Sequence, residues 1–102
     1  MDLQQLMRQA QEFQQKMKGM QDELAGRTVN STVGGGMVRA TVNGNQELVD
    51  LVIEPGVIDP SDPTMLQDLI AAAINDALKQ SRELARTEMG RLTGGLNIPG
   101  LF

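Results

Sequence analysis

The sequence predicts an α+β fold: a long N-terminal helix, a three-stranded antiparallel meander and a long C-terminal helix. Three observations carry this. Apolar residues recur at alternating steps of three and four from residue 3 to residue 24. The period then shortens to two between residues 28 and 53. Helical spacing returns from residue 63 to about residue 92.

The first helix rests on a heptad seam of Leu3, Leu6, Ala10, Phe13, Met17, Met20 and Leu24, with mostly Gln, Lys, Glu and Asp between them. Such spacing keeps one narrow apolar stripe on a helix, and only that stripe has a reason to leave water. Twenty-two helical residues span about 33 Å. A core of 102 residues cannot comfortably wrap that length, so part of the seam is expected to pack on another long helix or another subunit. Ala25-Gly26 supplies a C-terminal cap of left-handed conformation. Gly19 lies inside the helix, where it predicts a bend or a close approach.

Three strands follow: Thr28–Val33, Met37–Val42 and Leu48–Ile53. Val38, Ala40 and Val42 share one face, as do Val49, Leu51 and Ile53, so one side of the meander is apolar. Asn43-Gly44-Asn45 is a hairpin signal because an Asn-Gly pair accepts positive φ. Gly34-Gly35-Gly36 joins the first two strands. It lacks the Lys-Ser/Thr and the following helix of a phosphate loop.

Glu54-Pro55-Gly56 closes the meander. Asp62 is placed to cap the second helix, with Pro63 at its first position. Leu66, Leu69, Ile70, Ala73, Ile74, Ala77, Leu78, Leu84, Ala85 and Met89 keep its apolar stripe. Residues 1–92 read as a single domain and 93–102 as an irregular tail rich in Gly and Pro.

Composition removes several classes of function. There is no Cys and no His, so thiolate chemistry, the usual general base and the soft metal ligands are missing. Asp22 and Glu23 sit on a solvated helix face with no apolar pocket to raise a pKa. No enzyme, cofactor, metal site or small-molecule substrate is expected. Asp59 and Asp62 lack the spacing of a calcium loop, and Asn30-Ser31-Thr32 matches a glycosylation sequon only by coincidence. The longest apolar run, Leu69–Ile74, is far below the ~20 residues of a membrane span, and the N-terminus has no signal-peptide pattern. A cytoplasmic protein is expected.

The net charge of −4 is unevenly distributed. Residues 1–27 carry four basic and four acidic side chains, as do residues 65–102. Residues 28–64 hold Arg39 against Glu47, Asp50, Glu54, Asp59 and Asp62, and so carry the whole deficit. The helices remain free to present basic faces.

Stretches of this chain resemble the YbaB/EbfC family of bacterial nucleoid-associated proteins. The matching residues are Leu6-Met7-Arg8-Gln9-Ala10-Gln11 and Gln15-Lys16-Met17, then Gly36 to Gly44 and Val52-Ile53-Glu54-Pro55. The block from Leu66 to Ala77 is the most specific, and the tail from Thr93 to Gly100 is also familial. The resemblance implies a homodimer whose strands pair about a central interface, with long helices projecting like tweezer arms. It further implies binding of double-stranded DNA with little sequence preference, and a role in organising the nucleoid or influencing gene expression. It brings no enzymatic activity.

Candidate DNA contacts come from the charges. Lys79, Arg82 and Arg86 fall within about 60° of one another at ~100° per residue, opposite the apolar stripe, and Arg91 extends the basic character to the helix end. On the first helix Arg8, Lys16 and Lys18 lie off the seam. Arg39, in the acidic middle, is a weaker candidate. Read alone, such charges belong more often to a solvated face, braced by Glu12–Lys16 and Lys79–Glu83 pairs, than to a phosphate track. The resemblance favours the track. No aromatic residue lies among them, so base stacking is not expected. The alternative is an adaptor or assembly protein whose helices grip a protein partner, with DNA binding weak or absent. Asn75-Asp76, mid-helix, reads as a hydrogen bond fixing register rather than as a site.

Overall fold

The computed structural model describes residues 2–93. Its elements are α1 (Leu3–Ala25), β1 (Thr28–Val33), β2 (Val38–Asn43), β3 (Leu48–Ile53), a 3₁₀ turn at Pro55–Val57 and α2 (Pro63–Thr93). The strands form one antiparallel sheet in the order β1-β2-β3, and α2 packs on its apolar face. The molecule is long and thin, 69 × 24 × 17 Å, because α1 and the end of α2 run beyond the sheet.

Each helix starts at a side-chain cap. Asp2 accepts from the Gln5 N–H at 2.7 Å, and Asp62 accepts from the Met65 N–H at 3.3 Å. Both satisfy donors that a helix N-terminus otherwise leaves unpaired. Thr93, assigned to the tail from sequence, is instead the last residue of α2. Its hydroxyl donates to backbone oxygens of the preceding turn, at Met89 and Gly90. The rest of the predicted tail, 94–102, lies outside the described residues.

The core consists of Val38, Ala40 and Val42 from β2 against Ala73 and Ala77 from α2, all fully buried. Two alanines one helical turn apart let the helix lie close to the central strand. Each buried valine contributes about 1.5–3 kcal/mol by leaving water. Val29, Val33, Leu51, Ile53, Leu66, Leu69, Ile70, Ile74 and Leu78 surround this centre.

Four expectations about local structure are corrected. Gly26 ends α1 with φ −93°, in right-handed conformation, so it is not a left-handed cap. A Cβ on Gly19 would meet nothing within 4 Å, so among the described residues nothing approaches it closely. Val49 is exposed, because a bulge shifts the register between Thr41 and Val42: Val42 pairs with Leu48, but Thr41 already pairs with Asp50. The extra residue breaks the alternation and removes Val49 from the apolar face. At the β2–β3 turn the positive φ falls on Gln46, at 60°, not on Gly44.

Gly44 is needed for a different reason. A Cβ there would lie 2.6–2.9 Å from Leu24 Cδ2, Leu24 Cβ and the Leu24 carbonyl oxygen. The Gly44 N–H donates to the carbonyls of Leu24 and Arg27, each at 2.9 Å. The turn therefore holds the end of α1, and the Asn45 amide adds a bond to the Gln21 carbonyl at 3.0 Å. From the other side, buried Ser81 of α2 donates to the Asn43 carbonyl at 2.6 Å and accepts from the Gln46 N–H at 3.2 Å. A single turn thus joins α1, the sheet and α2.

The seam of α1 is divided by this joint. Leu24 is 2% exposed, and Met17 and Met20 are half-buried. Ala10 is exposed, and Phe13, Leu6 and Leu3 are 43, 52 and 70% exposed. Among the described residues, only the last turns of the seam are covered.

Candidate nucleic-acid interface

The basic residues of α2 fall into two groups. Lys79, Arg82 and Arg86 are exposed and share one face, away from Ala73, Ala77 and Ser81, which are buried. None of the three has a carboxylate within salt-bridge distance among the described residues. The Lys79–Glu83 and Glu12–Lys16 pairs expected from sequence do not form. Between solvated charges on a helix surface, the gain hardly offsets the loss of side-chain freedom.

Arg91 does not continue this face. At ~100° per residue it sits about 120° from Lys79, beside the packed stripe. Its Nη1 donates to Glu88 Oε1 at 3.0 Å. The same oxygen accepts from Arg27 Nη1 at 2.7 Å. Arg27 follows the end of α1 and was not among the sequence candidates. Nothing local signals it, since its partner lies 61 residues away.

On α1, Arg8, Lys16 and Lys18 are all exposed but do not share a face. Arg8 lies opposite the seam, and Lys16 and Lys18 flank it on either side. Lys16 meets α2: with Met20, Glu23, Glu88, Arg91 and Leu92 it lines an open groove of about 300 Å³. Arg39 is exposed on β2.

Asp76 lies beside the Lys79 face and is tied to β1. The Ser31 hydroxyl donates to it at 2.7 Å and the Gln80 amide at 3.0 Å. The Ser31 bond, then the Gln80 bond, holds its carboxyl below the ordinary value of 3.8, against a small opposing effect of desolvation and with minor help from Lys79. This is the register-fixing bond anticipated for Asn75-Asp76. It joins β1 to α2 and is made by Asp76 alone, both residues of the pair being exposed.

The fold is thus a pair of long helices on a small sheet, with cations on outward helix faces. The comparisons make this specific. Residues 1–96 match the model of the YbaB/EbfC DNA-binding family. The chain is 52% identical over 97 residues to a nucleoid-associated protein of Thermoanaerobacter sp. (strain X514), covering 95% of this chain and 87% of the relative. A nucleoid-associated protein of Pelotomaculum thermopropionicum is 53% identical over 97 residues, with 95% and 92% covered. The fold matches the crystal structure of an uncharacterized Helicobacter pylori protein with a TM-score of 0.83 at 28% identity, covering 92% of this chain and 99% of that one. The chain belongs to the YbaB/EbfC DNA-binding family.

Proposed function

We propose that this is a nucleoid-associated protein that acts as a homodimer and grips double-stranded DNA by its phosphates, along the basic face of α2. The observation that carries the reading is the set Lys79, Arg82 and Arg86: exposed, on one face, and without a salt-bridge partner among the described residues. Contacts of this kind fix position on the duplex without reading sequence. Arg8, Lys16 and Lys18 add cations along α1, pointing in several directions. Arg91 belongs to the α1–α2 groove.

The homodimer is supported by apolar residues that the described part of one chain leaves uncovered. Leu3, Leu6 and Phe13 on α1 and Leu48, Val49 and Val52 on β3 are all exposed. A second copy is the simplest cover for both. The nucleoid is the location that DNA binding implies, and no helix among the described residues is long and apolar enough to cross a membrane.

The test is fluorescence anisotropy of a duplex of about 30 bp over a salt series, with oligomeric state followed by light scattering. The logarithm of affinity should fall linearly with that of salt, with the slope of several phosphates. Arg82→Glu with Arg86→Glu should abolish binding near physiological salt and leave the dimer intact. Unchanged binding in that double variant would remove the α2 face from the interface.

A further inference from the structure

Glu88 holds two guanidinium groups on one oxygen. Arg27, beyond the end of α1, ties that junction to α2. Arg91 comes from α2 itself, three residues along, and links no further element. The Glu88 side chain is 11% exposed, whereas Arg27 and Arg91 are 42% and 72% exposed. Each arginine makes its only side-chain hydrogen bond among the described residues through Nη1 to this carboxylate. A guanidinium carries five N–H donors, so most of both sets are uncommitted. Two cations on one anion leave the cluster with a surplus positive charge. Lys16 and Glu23, which line a groove with Glu88 and Arg91, add one charge of each sign.

The spacing suits a phosphate. Because both Nη1 atoms contact one oxygen, at 2.7 and 3.0 Å, they are at most 5.7 Å apart. The free N–H donors of both guanidinium groups therefore lie close enough together to reach oxygens of one phosphate. We propose that Arg27 and Arg91, gathered by Glu88, form a clamp for a single backbone phosphate of bound DNA, at the α1–α2 groove and apart from the Lys79–Arg82–Arg86 face. The clamp rests on the DNA reading given above. Glu88 keeps hold of the two Nη1 groups while the other N–H donors of the arginines meet the phosphate.

The experiment uses the same duplex and salt series on Arg27→Gln, Arg91→Gln, the two combined, Glu88→Gln, and Arg82→Gln with Arg86→Gln. Each clamp substitution should weaken binding about tenfold, as expected for a lost hydrogen bond to a charged group, and lower the salt slope by about one. The combined variant should lose little more than the weaker single one, because both arginines serve one phosphate. Glu88→Gln, which keeps both arginines and removes the competing charge, should bind at least as tightly as the native chain. Arg91 is mostly exposed, so its substitution reads out binding without the risk of misfolding. If Arg27→Gln and Arg91→Gln leave affinity and slope unchanged while Arg82→Gln with Arg86→Gln lowers them, the clamp is overturned and the α2 face stands. If none of the variants changes binding, the clamp and the α2 face fall together.

Discussion

The two ends of α1 carry the same apolar seam and meet opposite surroundings. At the C-terminal end Leu24 is buried against Gly44, whose N–H holds the Leu24 carbonyl. At the N-terminal end Leu3 and Leu6, in the same register, are largely exposed. Heptad spacing therefore states that a face should be buried, and is silent about which surface buries it. The covered end belongs to the fold of one chain. The open end belongs to whatever the chain assembles with, in our proposal a second copy.

The sharpest way to break this comparison is to make one substitution at both ends. Leu24→Ala should cost about 3 kcal/mol, because it leaves a cavity under the turn. Leu6→Ala should change the stability of a dissociated chain by less than about 0.5 kcal/mol. If the open end is a subunit contact, Leu6→Ala should instead weaken self-association. Urea unfolding at low and high protein concentration measures both, and an equal loss for the two leucines at all concentrations would erase the distinction.

A smaller effect is expected at the joint. Gly44→Ala forces a methyl group to within 3 Å of the Leu24 backbone and side chain, for about 2 kcal/mol of overpacking. The melting temperature should drop by roughly 8–16 °C for a domain of this size. Gly19→Ala, where nothing lies within 4 Å, should be neutral or stabilising by the better helix propensity of alanine. A Gly44→Ala variant melting with the native chain would show that the turn does not fix α1.

The smallest effect concerns Asp76. Its carboxyl is held below the ordinary 3.8 by the Ser31 hydroxyl. A folded-state pKa below the unfolded one adds stability that is present above about pH 4 and lost as the pH falls through the folded value. Asp76→Asn should remove that contribution, so its stability should fall less than that of the native chain between pH 6 and pH 3. Parallel acid limbs in thermal melts of the two proteins would show that the Ser31 bond carries no protonation-linked stability.

The elements themselves were legible because each announces itself locally. The change of period at residue 27 marks the passage from helix to strand, and Asp62-Pro63 marks the return to helix. What sequence hid was contact between distant residues. Asn43-Gly44 looks like a turn that needs positive φ, yet Gly44 serves the approach of Leu24, twenty residues earlier, and the positive φ falls on Gln46. The alternation of β3 promises Val49 to the core, and a bulge withdraws it. The basic face of α2 could be read from angular spacing alone. The Arg27–Glu88–Arg91 cluster could not, because no periodicity relates a residue just past one helix to the far end of another.

The joint also gives the molecule mechanical leverage. From Lys16, at the groove, to Leu3, α1 runs on for about 20 Å. A tilt of about 10° at the Gly44 turn, which holds Leu24 about 30 Å from Leu3, would carry the helix tip about 5 Å, well over the length of an N–H···O bond. The hydrogen bonds of one four-residue turn thus set how precisely the far end of the arm is aimed.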